Sequence, residues 1–294
     1  MLDFNPGLSY LVYRLHGDDA VKHVAPRLQL SSSWMPDKLQ RVRLFFSLGN
    51  TFPSLNTVNN VSQQIDHIMI RRGNPDMDNS TLLGPGFTYS LNYKQISAML
   101  SCYYMYMSNA IVNTYSIEGG NIINTFSSDA RSHQASTSLS VTWKPSASIN
   151  VKMDGNFTYA RVTMADEEQL RGWQMGLQAN YYVRDFFFSA SCKSLTRSLN
   201  NYQYHIRQPW QYGLSAEWSH NNLAVVLEVK NLFIQDNVLK RSLSSDLYNL
   251  SEQFRRERDN SYASLKLICS IDYGKRVRFS PHYEVKDSES TILK

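Results

Sequence analysis

From Ala135 to Trp143 the chain reads Ala-Ser-Thr-Ser-Leu-Ser-Val-Thr-Trp. Leu139, Val141 and Trp143 fall on one side of this alternation, and a serine or threonine stands between them each time. A repeat of two residues is the period of a β-strand, in which neighbouring side chains point to opposite faces of the sheet. The stretch therefore predicts a strand with one apolar face and one polar face.

The same alternation recurs along the chain. It predicts about twelve strands, at residues 8–16, 24–35, 40–50, 84–93, 96–107, 133–143, 148–160, 171–183, 186–198, 209–220, 223–234 and 261–273. These segments are close to the length of about 9 to 11 residues with which a tilted strand crosses a membrane. Strands of soluble proteins are shorter, at about 5 to 6 residues. The lengths therefore favour membrane-spanning strands.

The connections between these strands alternate between short and long. The short ones are residues 35–38, 94–95, 144–147, 184–185 and 220–222, and the long ones are 51–83, 108–132, 161–170, 199–208 and 235–260. Short periplasmic turns on one side and long extracellular loops on the other are typical of outer-membrane barrels. We therefore predict an all-β fold, an antiparallel up-and-down transmembrane β-barrel of about twelve strands, either closed or a partial barrel.

The composition is compatible with this prediction. Only 42% of the residues are hydrophobic, because each strand of a barrel alternates lipid-facing apolar residues with polar ones. No apolar stretch approaches the roughly 18 residues of a spanning helix. The net charge of +5 is spread out and does not indicate a nucleic-acid partner. Cys102, Cys192 and Cys269 lie far apart and are interpreted as small apolar strand residues.

Aromatic residues recur near both ends of the predicted strands. Those near the short turns are Trp34, Tyr93, Trp143, Tyr181, Trp218 and Tyr273, and those near the long loops are Trp173, Trp210, Tyr106, Tyr159 and Phe233. Tryptophan and tyrosine settle at the depth of lipid headgroups. The two sets therefore predict two membrane-interface rings around a lipid-facing band. The alternative is that aromatic residues are simply frequent in strands.

Residues 43–93 contain an ordered series of signals. A strand ending near Asn50 is followed by Phe-Pro-Ser-Leu-Asn with Pro53 and Leu55, a polar run, then Gly73-Asn74-Pro75-Asp-Met, and a further strand. This series resembles a segment of TonB-dependent outer-membrane receptors, in particular the outer membrane protein β-barrel family common in Bacteroidetes. The closing step Tyr273-Gly274-Lys275 is similar to the last strand of that family. Residues 1–273 are then the carboxy-terminal part of a receptor barrel, and residues 274–294 are a polar periplasmic tail.

The resemblance covers only the second half of such a receptor, whose barrel has about 22 strands. It implies import of bulky nutrients, such as iron chelates, cobalamin, glycans or peptides. The implied partners are outer-membrane lipid and the TonB energy-transducing complex, the latter through a plug region that has no counterpart here. The chain is therefore interpreted as a truncated or split receptor. The alternative is a self-contained twelve-stranded outer-membrane pore or surface-binding barrel.

No motif for chemistry is recognised. The histidines and acids have no metal-ligand spacing, and there is no phosphate-binding glycine loop and no nucleophile elbow. We therefore expect no catalytic residue, no metal and no cofactor. Tyrosine and asparagine crowd the long loops and nearby strand ends, at Tyr103, Tyr104, Tyr115, Asn121, Asn124, Tyr202 and Tyr204. They are either ligand contacts or ordinary hydrated loop residues, so the ligand-binding residues stay unknown.

Overall fold

The structure is a computed structural model, and it describes residues 2–14, 20–164, 167–200, 204–234, 238–244, 249–255 and 261–270. The strands are β1 (Leu2–Arg14), β2 (Ala20–Trp34), β3 (Gln40–Thr51), β4 (Gln63–Gln64), β5 (Met69–Arg71), β6 (Ser80–Tyr93), β7 (Ile96–Glu118), β8 (Asn121–Ser146), β9 (Ile149–Thr163), β10 (Glu167–Val183), β11 (Phe186–Lys193), β12 (Thr196–Asn200), β13 (Tyr204–Gln208), β14 (Gln211–His220), β15 (Leu223–Lys230), β16 (Val238–Ser244), β17 (Asn249–Arg255) and β18 (Tyr262–Cys269). One helical turn, α1 (Leu55–Val58), lies between β3 and β4.

Twelve strands form one antiparallel sheet, which we call the wall. Their order is β1-β2-β3-β6-β7-β8-β9-β10-β11-β14-β15-β18, so neighbours in the sheet follow each other along the chain. This is the predicted up-and-down meander. Within the described residues no pairing joins β1 to β18, and the wall is an open sheet with two edges.

The register of the wall collects the apolar side chains on one face. Leu139 pairs with Leu100 on β7 and Gly155 on β9, and Val141 pairs with Ala98 and Met153. These side chains are not packed under a second layer: Leu139 is 47% exposed and Leu265 is 72% exposed. An extensive apolar face without a protein partner marks a contact with lipid.

The opposite face of the wall is polar, and its charged groups have partners on the same strand or on the neighbouring strand. Asp154 accepts a hydrogen bond from Ser140 at 2.7 Å, and its Oδ1 lies 3.4 Å from the Lys152 ammonium. Further along the wall, Lys266 lies 3.8 Å from Glu228. We call this the lumen face, because a polar interior opposite a lipid-facing exterior is the arrangement of an outer-membrane barrel.

Two of the predicted connections are wrong in detail. Residues 108–132 are not a loop. Strand β7 continues to Glu118 and β8 begins at Asn121, so the two strands form one long hairpin. Residues 161–170 form no long loop either, since β9 and β10 pair up to Thr163 and Glu167. The strictly alternating pattern of short and long connections therefore does not hold along the whole wall.

The strands predicted at 186–198, 209–220 and 223–234 are also shorter in the wall than expected. In the wall, β11 ends at Lys193, β14 begins at Gln211 and β15 ends at Lys230. The segments between β11 and β14 and between β15 and β18 contribute to a second sheet of order β12-β13-β16-β17. The first wall strand starts earlier than predicted, at Leu2. The last ends at Cys269 among the described residues; Tyr273 and the predicted tail 274–294 lie outside them.

In the part of the chain that is described, no helix has both the length and the apolar composition needed to cross a membrane.

Candidate functional site at the mouth of the wall

The connection between β3 and β6 forms a compact segment, residues 52–79, which we call the first insert. It folds over the lumen face of β2 at the end of the wall opposite the short turns, and we call this end the mouth. The Phe52 ring stacks on His23 at 5.8 Å, and both His23 and Ala25 are buried there. Val24, which points to the apolar face, is 56% exposed. The first insert therefore narrows the space inside the wall rather than extending away from it.

The residues that carried the family resemblance lie in the tightest part of this insert. Pro53 and Val58 are fully buried, whereas Leu55 is exposed. The Gly73 amide donates to the Asn59 carbonyl at 2.9 Å. Asn74 makes three bonds: its amide donates to Thr57 O, its side chain donates to Phe126 O at 2.9 Å, and its Oδ1 accepts from the Asp76 amide.

The first insert is also anchored on the long β7–β8 hairpin. Strand β5 pairs in parallel with the free edge of β8, at Met69 with Ile122. Arg72 adds a backbone bond to Asn124 O at 2.9 Å and an ion pair with Glu118 at 3.6 Å. The insert therefore joins the lumen side of β2 to the projecting hairpin, and the family-like residues hold that connection.

We expect Gly73→Ala to loosen the first insert. A Cβ at this position would lie 2.1 Å from the Asn59 carbonyl oxygen, and the atoms that it meets all belong to the Asn59 backbone, which cannot move aside as a flexible side chain could. Overpacking of this kind costs about 1–3 kcal/mol. Limited proteolysis within residues 52–79 will then be faster. The matched control is Gly49→Ala, since a Cβ at Gly49 meets nothing within 4 Å; equal cleavage of the two variants would contradict this assignment.

The second sheet, formed by β12, β13, β16 and β17, is the second insert. Two polar side chains replace the ladder hydrogen bonds at the points where the strands leave the wall. Ser194 Oγ accepts from the Met175 amide at 2.8 Å. Asn231, with a positive φ of 50°, accepts from the Tyr212 amide through Oδ1 at 2.7 Å. Both side chains are buried, so they satisfy backbone donors that the departing strands no longer reach.

Replacing Ser194 by alanine leaves the Met175 amide without its acceptor. A buried unsatisfied donor costs about 1–3 kcal/mol. We therefore expect the hydrogen bonds between β10 and β11 to open more often at the mouth end of this pair. Backbone hydrogen exchange at Met175 measures this directly and should become faster. Ser189→Ala, on the same strand within the regular ladder, serves as the control. Unchanged exchange at Met175 in the Ser194 variant would show that the hydroxyl does not hold the junction.

The second insert docks on the lumen face of β10. A Cβ on Gly172 would lie 2.4 Å from the Arg197 carbonyl oxygen, so only glycine allows the two sheets to approach this closely. Four residues earlier on the same face, Glu168 Oε2 lies 3.1 Å from His205 Nε2. The second insert therefore also lies over the lumen face of the wall.

A small apolar cluster connects the second insert with the hairpin. It consists of Met107, Ala110, Val112, Ala130 and Val162, with Leu82, Met164 and Leu199 packed against it. Leu199 belongs to β12, and the other members come from β6, β7, β8, β9 and the β9–β10 connection. This cluster is at the mouth, while the apolar residues of the wall stay exposed. The mouth is thus the part of the described structure that is packed like a protein interior.

An ion pair joins the ends of β9 and β10 at the mouth. Arg161 Nη2 donates to Glu167 Oε2 at 2.5 Å. Hydrogen bonds from Arg161 and Gln169 lower the pKa of Glu167, and the bond to Glu167 raises the pKa of Arg161. Because the folded pKa of Glu167 lies below its ordinary value, this contact is present at neutral pH and is lost as the pH falls through that lowered pKa. Both groups are solvent-exposed, so the contribution to stability is small.

The tyrosines and asparagines considered as ligand contacts separate into different environments. Tyr103 stacks on Phe45 at 6.1 Å on the lumen face, whereas Tyr104 points to the apolar face and bonds His133. Asn124 is buried under the first insert, and Asn121 is at the hairpin tip. Tyr115 lies in the projecting part of β7, where it pairs with Asn124. Tyr202 lies outside the described residues.

Tyr204 is part of a group that the sequence did not reveal. The Arg241 guanidinium lies 3.8 Å from the centre of the Tyr204 ring, and Arg241 Nη1 lies 3.3 Å from Glu252. The strand alternation places this group on the face of the second insert opposite His205. A ring, a guanidinium and a carboxylate together suit contact with a polar ligand. The three residues come from three separate strands, so no sequence spacing predicts them.

The predicted membrane-interface aromatics follow the two edges of the apolar band. Near the short turns, Tyr93 and Trp143 both pair with Ile96, Tyr181 pairs with Phe188, and Trp218 pairs with Phe186. Trp34 there is exposed, as are Trp173, Trp210 and Phe233 near the mouth, while Tyr159 and Tyr106 are partly buried. Their depth in a bilayer stays a prediction. Among the described residues, no cluster of three or more potential metal ligands occurs.

A twelve-stranded antiparallel meander with an exposed apolar face, a polar lumen face and inserts folded over its mouth is the wall of an outer-membrane β-barrel. The model of the outer membrane protein beta-barrel family matches residues 19–269, and the chain belongs to this family. It is therefore a protein of the bacterial outer membrane. No curated protein matches the sequence.

Three solved structures share the fold of the chain. The copper transporter OprC has a TM-score of 0.58 at 11% identity, over 78% of this chain and 36% of its own. The siderophore receptor PirA from Pseudomonas aeruginosa has 0.58 at 15%, over 79% and 42%. The FrpB iron transporter from Neisseria meningitidis has 0.60 at 12%, over 90% and 42%. The chain thus spans less than half the length of each of these proteins.

Proposed function

We propose that the chain is the carboxy-terminal part of the barrel of a TonB-dependent receptor of the Bacteroidetes type, which imports bulky nutrients such as iron chelates, cobalamin, glycans or peptides. The open wall is the observation that carries this proposal. In hydrocarbon every backbone donor and acceptor needs a partner, so the outer edges of β1 and β18 require further strands. The three similar structures, each more than twice as long as the matched part, support a larger barrel as the source of these strands.

The mouth supports the same function. The two inserts fold over the lumen face from different strands of the wall, and the Tyr204–Arg241–Glu252 group lies on one of them. An imported ligand would meet these surfaces before it reached the lumen. The plug and the TonB contact belong in this proposal to the remainder of the receptor, and the chain supplies the outer wall and part of the ligand-binding mouth.

Deletion of the gene in its natural host tests the proposal. We expect the deletion strain to lose growth on one scarce nutrient, with ferric chelates, cobalamin and oligosaccharides supplied in turn as the limiting source. Deletion of TonB should cause the same loss, and complementation with the intact gene should restore growth. Uptake that depends on the gene but continues without TonB would overturn the proposal.

A second candidate is a self-contained twelve-stranded pore. The even number of wall strands favours it, because β1 and β18 then run antiparallel and are able to pair with each other. In that case the chain alone will refold in detergent to a heat-modifiable species and conduct ions across a planar bilayer. If the receptor proposal holds, the chain alone will give neither a stable heat-modifiable species nor steady conductance.

A further inference from the structure

The second insert carries a row of positive charges on one face of its sheet. Arg197 on β12 lies directly opposite Arg207 on β13, and Arg207 lies directly opposite Lys240 on β16. Directly paired residues point to the same side of a sheet, so the three side chains are neighbours. We call these three residues the cationic row. Because adjacent strands are about 4.8 Å apart, the row extends over about 10 Å.

The residues around the cationic row place it between the second insert and the lumen face of the wall. His205 and Leu199 are each two residues from the row on the same face. His205 Nε2 lies 3.1 Å from Glu168 on β10, and Leu199 packs against the apolar cluster at the mouth. The backbone of Arg197 approaches Gly172, which is also on the lumen face of β10. The row therefore faces the space that a ligand crosses between the mouth and the lumen.

Among the described residues, no acid on this face neutralises the cationic row. The other side chains that the structure describes here are Leu199, His205, Val238, Ser242, Asn249, Ser251 and Gln253. All three cations are exposed, and none makes an ion pair or a side-chain hydrogen bond within the described part of the chain. The carboxylate of Glu168, which approaches this face from the wall, is engaged by His205.

Such a row is unfavourable in the absence of a ligand. Like charges at directly opposite positions of a sheet repel each other and destabilise the pairing. An anion that binds across the row removes this repulsion. Arg197 and Arg207 each present a planar fork of donors that matches a carboxylate or a phosphate, and Lys240 adds a compact charge. Because the cations stand on separate strands, a ligand with several anionic groups uses the row better than a single anion does.

We propose that the cationic row binds a polyanionic nutrient, one with two or more carboxylate or phosphate groups about 5 to 10 Å apart. Carboxylate chelates of iron and phosphorylated compounds share this chemistry. The inference rests on the proposed import function and narrows its substrate class. The aromatic, guanidinium and carboxylate side chains described at the mouth lie on the other face of the same sheet and form a separate surface.

Calorimetric titration of the whole protein, extracted from outer membranes in a mild detergent, tests the row. The probes are ferric citrate and inositol hexakisphosphate, with maltohexaose as the uncharged comparison. We expect at least one anionic probe to bind, more weakly as the salt concentration rises, and maltohexaose not to compete with it. Arg207→Gln removes the central cation and should weaken this binding roughly tenfold or more.

Arg131→Gln is the matched control for the loss of one charge. Arg131 is also an exposed cation near the mouth, but it lies on the other face of the wall, where it pairs with Thr163. This variant should bind the anionic probe as the wild type does. Failure of the wild type to bind either anionic probe, or equal binding by the Arg207 variant and the wild type, would overturn the proposal. Heat-modifiable migration confirms that each variant has folded.

Hydrogen exchange of the ligand-free protein separates binding from a structural role. If the row is a ligand site, Arg207→Gln relieves repulsion, and the backbone amides of β13 should exchange more slowly, by up to about fivefold. If Arg207 instead neutralises an acid of the chain, its loss leaves that acid unpaired and the same amides will exchange faster. Faster exchange would therefore refute the assignment of the row to a ligand.

The growth experiment with the deletion strain distinguishes this inference from the import function. Loss of TonB-dependent growth on an uncharged oligosaccharide, together with no binding of either anionic probe, would leave import intact and refute the polyanionic substrate class. Binding of an anionic probe that depends on Arg207, in a protein whose deletion affects no TonB-dependent uptake, would support the anion site and refute the import function.

Discussion

Replacement of Leu139 by arginine will prevent most of the protein from assembling in the membrane. Leu139 lies on the apolar face, in the middle of the part of β8 that pairs with β9, and it is 47% exposed and paired with Leu100 and Gly155. An arginine at the midplane of the lipid-facing surface costs about 2–4 kcal/mol, a large part of the stability of an ordinary domain. The fraction of heat-modifiable protein in the outer membrane measures the loss.

The neighbouring residue provides the control for this prediction. Ser138 occupies the same strand but points to the lumen face, between Ser101 and Asn156. An arginine there remains hydrated, so Ser138→Arg should assemble almost as well as the wild type. If Ser138→Arg assembled worse than Leu139→Arg, the two faces of the wall would have to be exchanged.

Replacement of Gly172 by alanine will release the second insert from the wall. The added Cβ would lie 2.4 Å from the Arg197 carbonyl oxygen and 2.9 Å from Thr158 Oγ1. Relieving this overlap requires the two sheets to separate, at a cost of about 1–3 kcal/mol, which corresponds to about a 5- to 150-fold change in the opening equilibrium. Hydrogen exchange of the backbone amides of β13 will become faster by a factor in this range.

Gly176 is the matched position for this experiment. It lies on the same strand and the same face, but the nearest atoms to an added Cβ are 3.8 Å away. Gly176→Ala should leave the exchange of β13 unchanged. Equal acceleration in both variants would mean that loss of glycine flexibility in β10, rather than the contact with Arg197, explains the effect.

The wall is predictable from the sequence because the position of each side chain in it depends only on the face of its own strand. Each residue such as Leu139 or Ser138 needs only to match lipid or water on its own face, and the period of two records that requirement directly. The short turns at residues 94–95 and 184–185 were predictable for a related reason, since Lys94 and Arg184 start tight turns with positive φ. The fold class and the order of the wall strands follow from these signals.

The mouth was not predictable, because its organisation depends on contacts between distant residues. Strands such as β13 and β16 read as loops, since they face neither lipid nor a continuous core. Ser194 and Asn231 end the ladders of the wall, yet a single serine or asparagine within an alternating strand is common. The projecting part of the β7–β8 hairpin, residues 108–132, reads as a loop for the same reason, since it carries little periodic hydrophobicity.

The family-like segment illustrates what a motif reveals without a structure. Gly73 and Asn74 are recognisable in order and spacing, but no feature of the sequence indicates what they contact. The structure assigns them a structural role at the mouth, with Asn74 bridging the helical turn at Thr57 to Phe126 on β8. The aromatic–guanidinium–carboxylate group on the second insert left no comparable signal, because its residues are brought together only by strand pairing.

The central claim is that successive residues of each wall strand face lipid and lumen in turn. Nitroxide labels placed one at a time at residues 137 to 142 of β8, in the protein reconstituted into lipid vesicles, test this most directly. We predict high accessibility to oxygen at the odd positions, which face lipid, and high accessibility to a water-soluble nickel complex at the even positions. The opposite phase, or labels at the odd positions immobilised in a dry protein interior, would contradict the account.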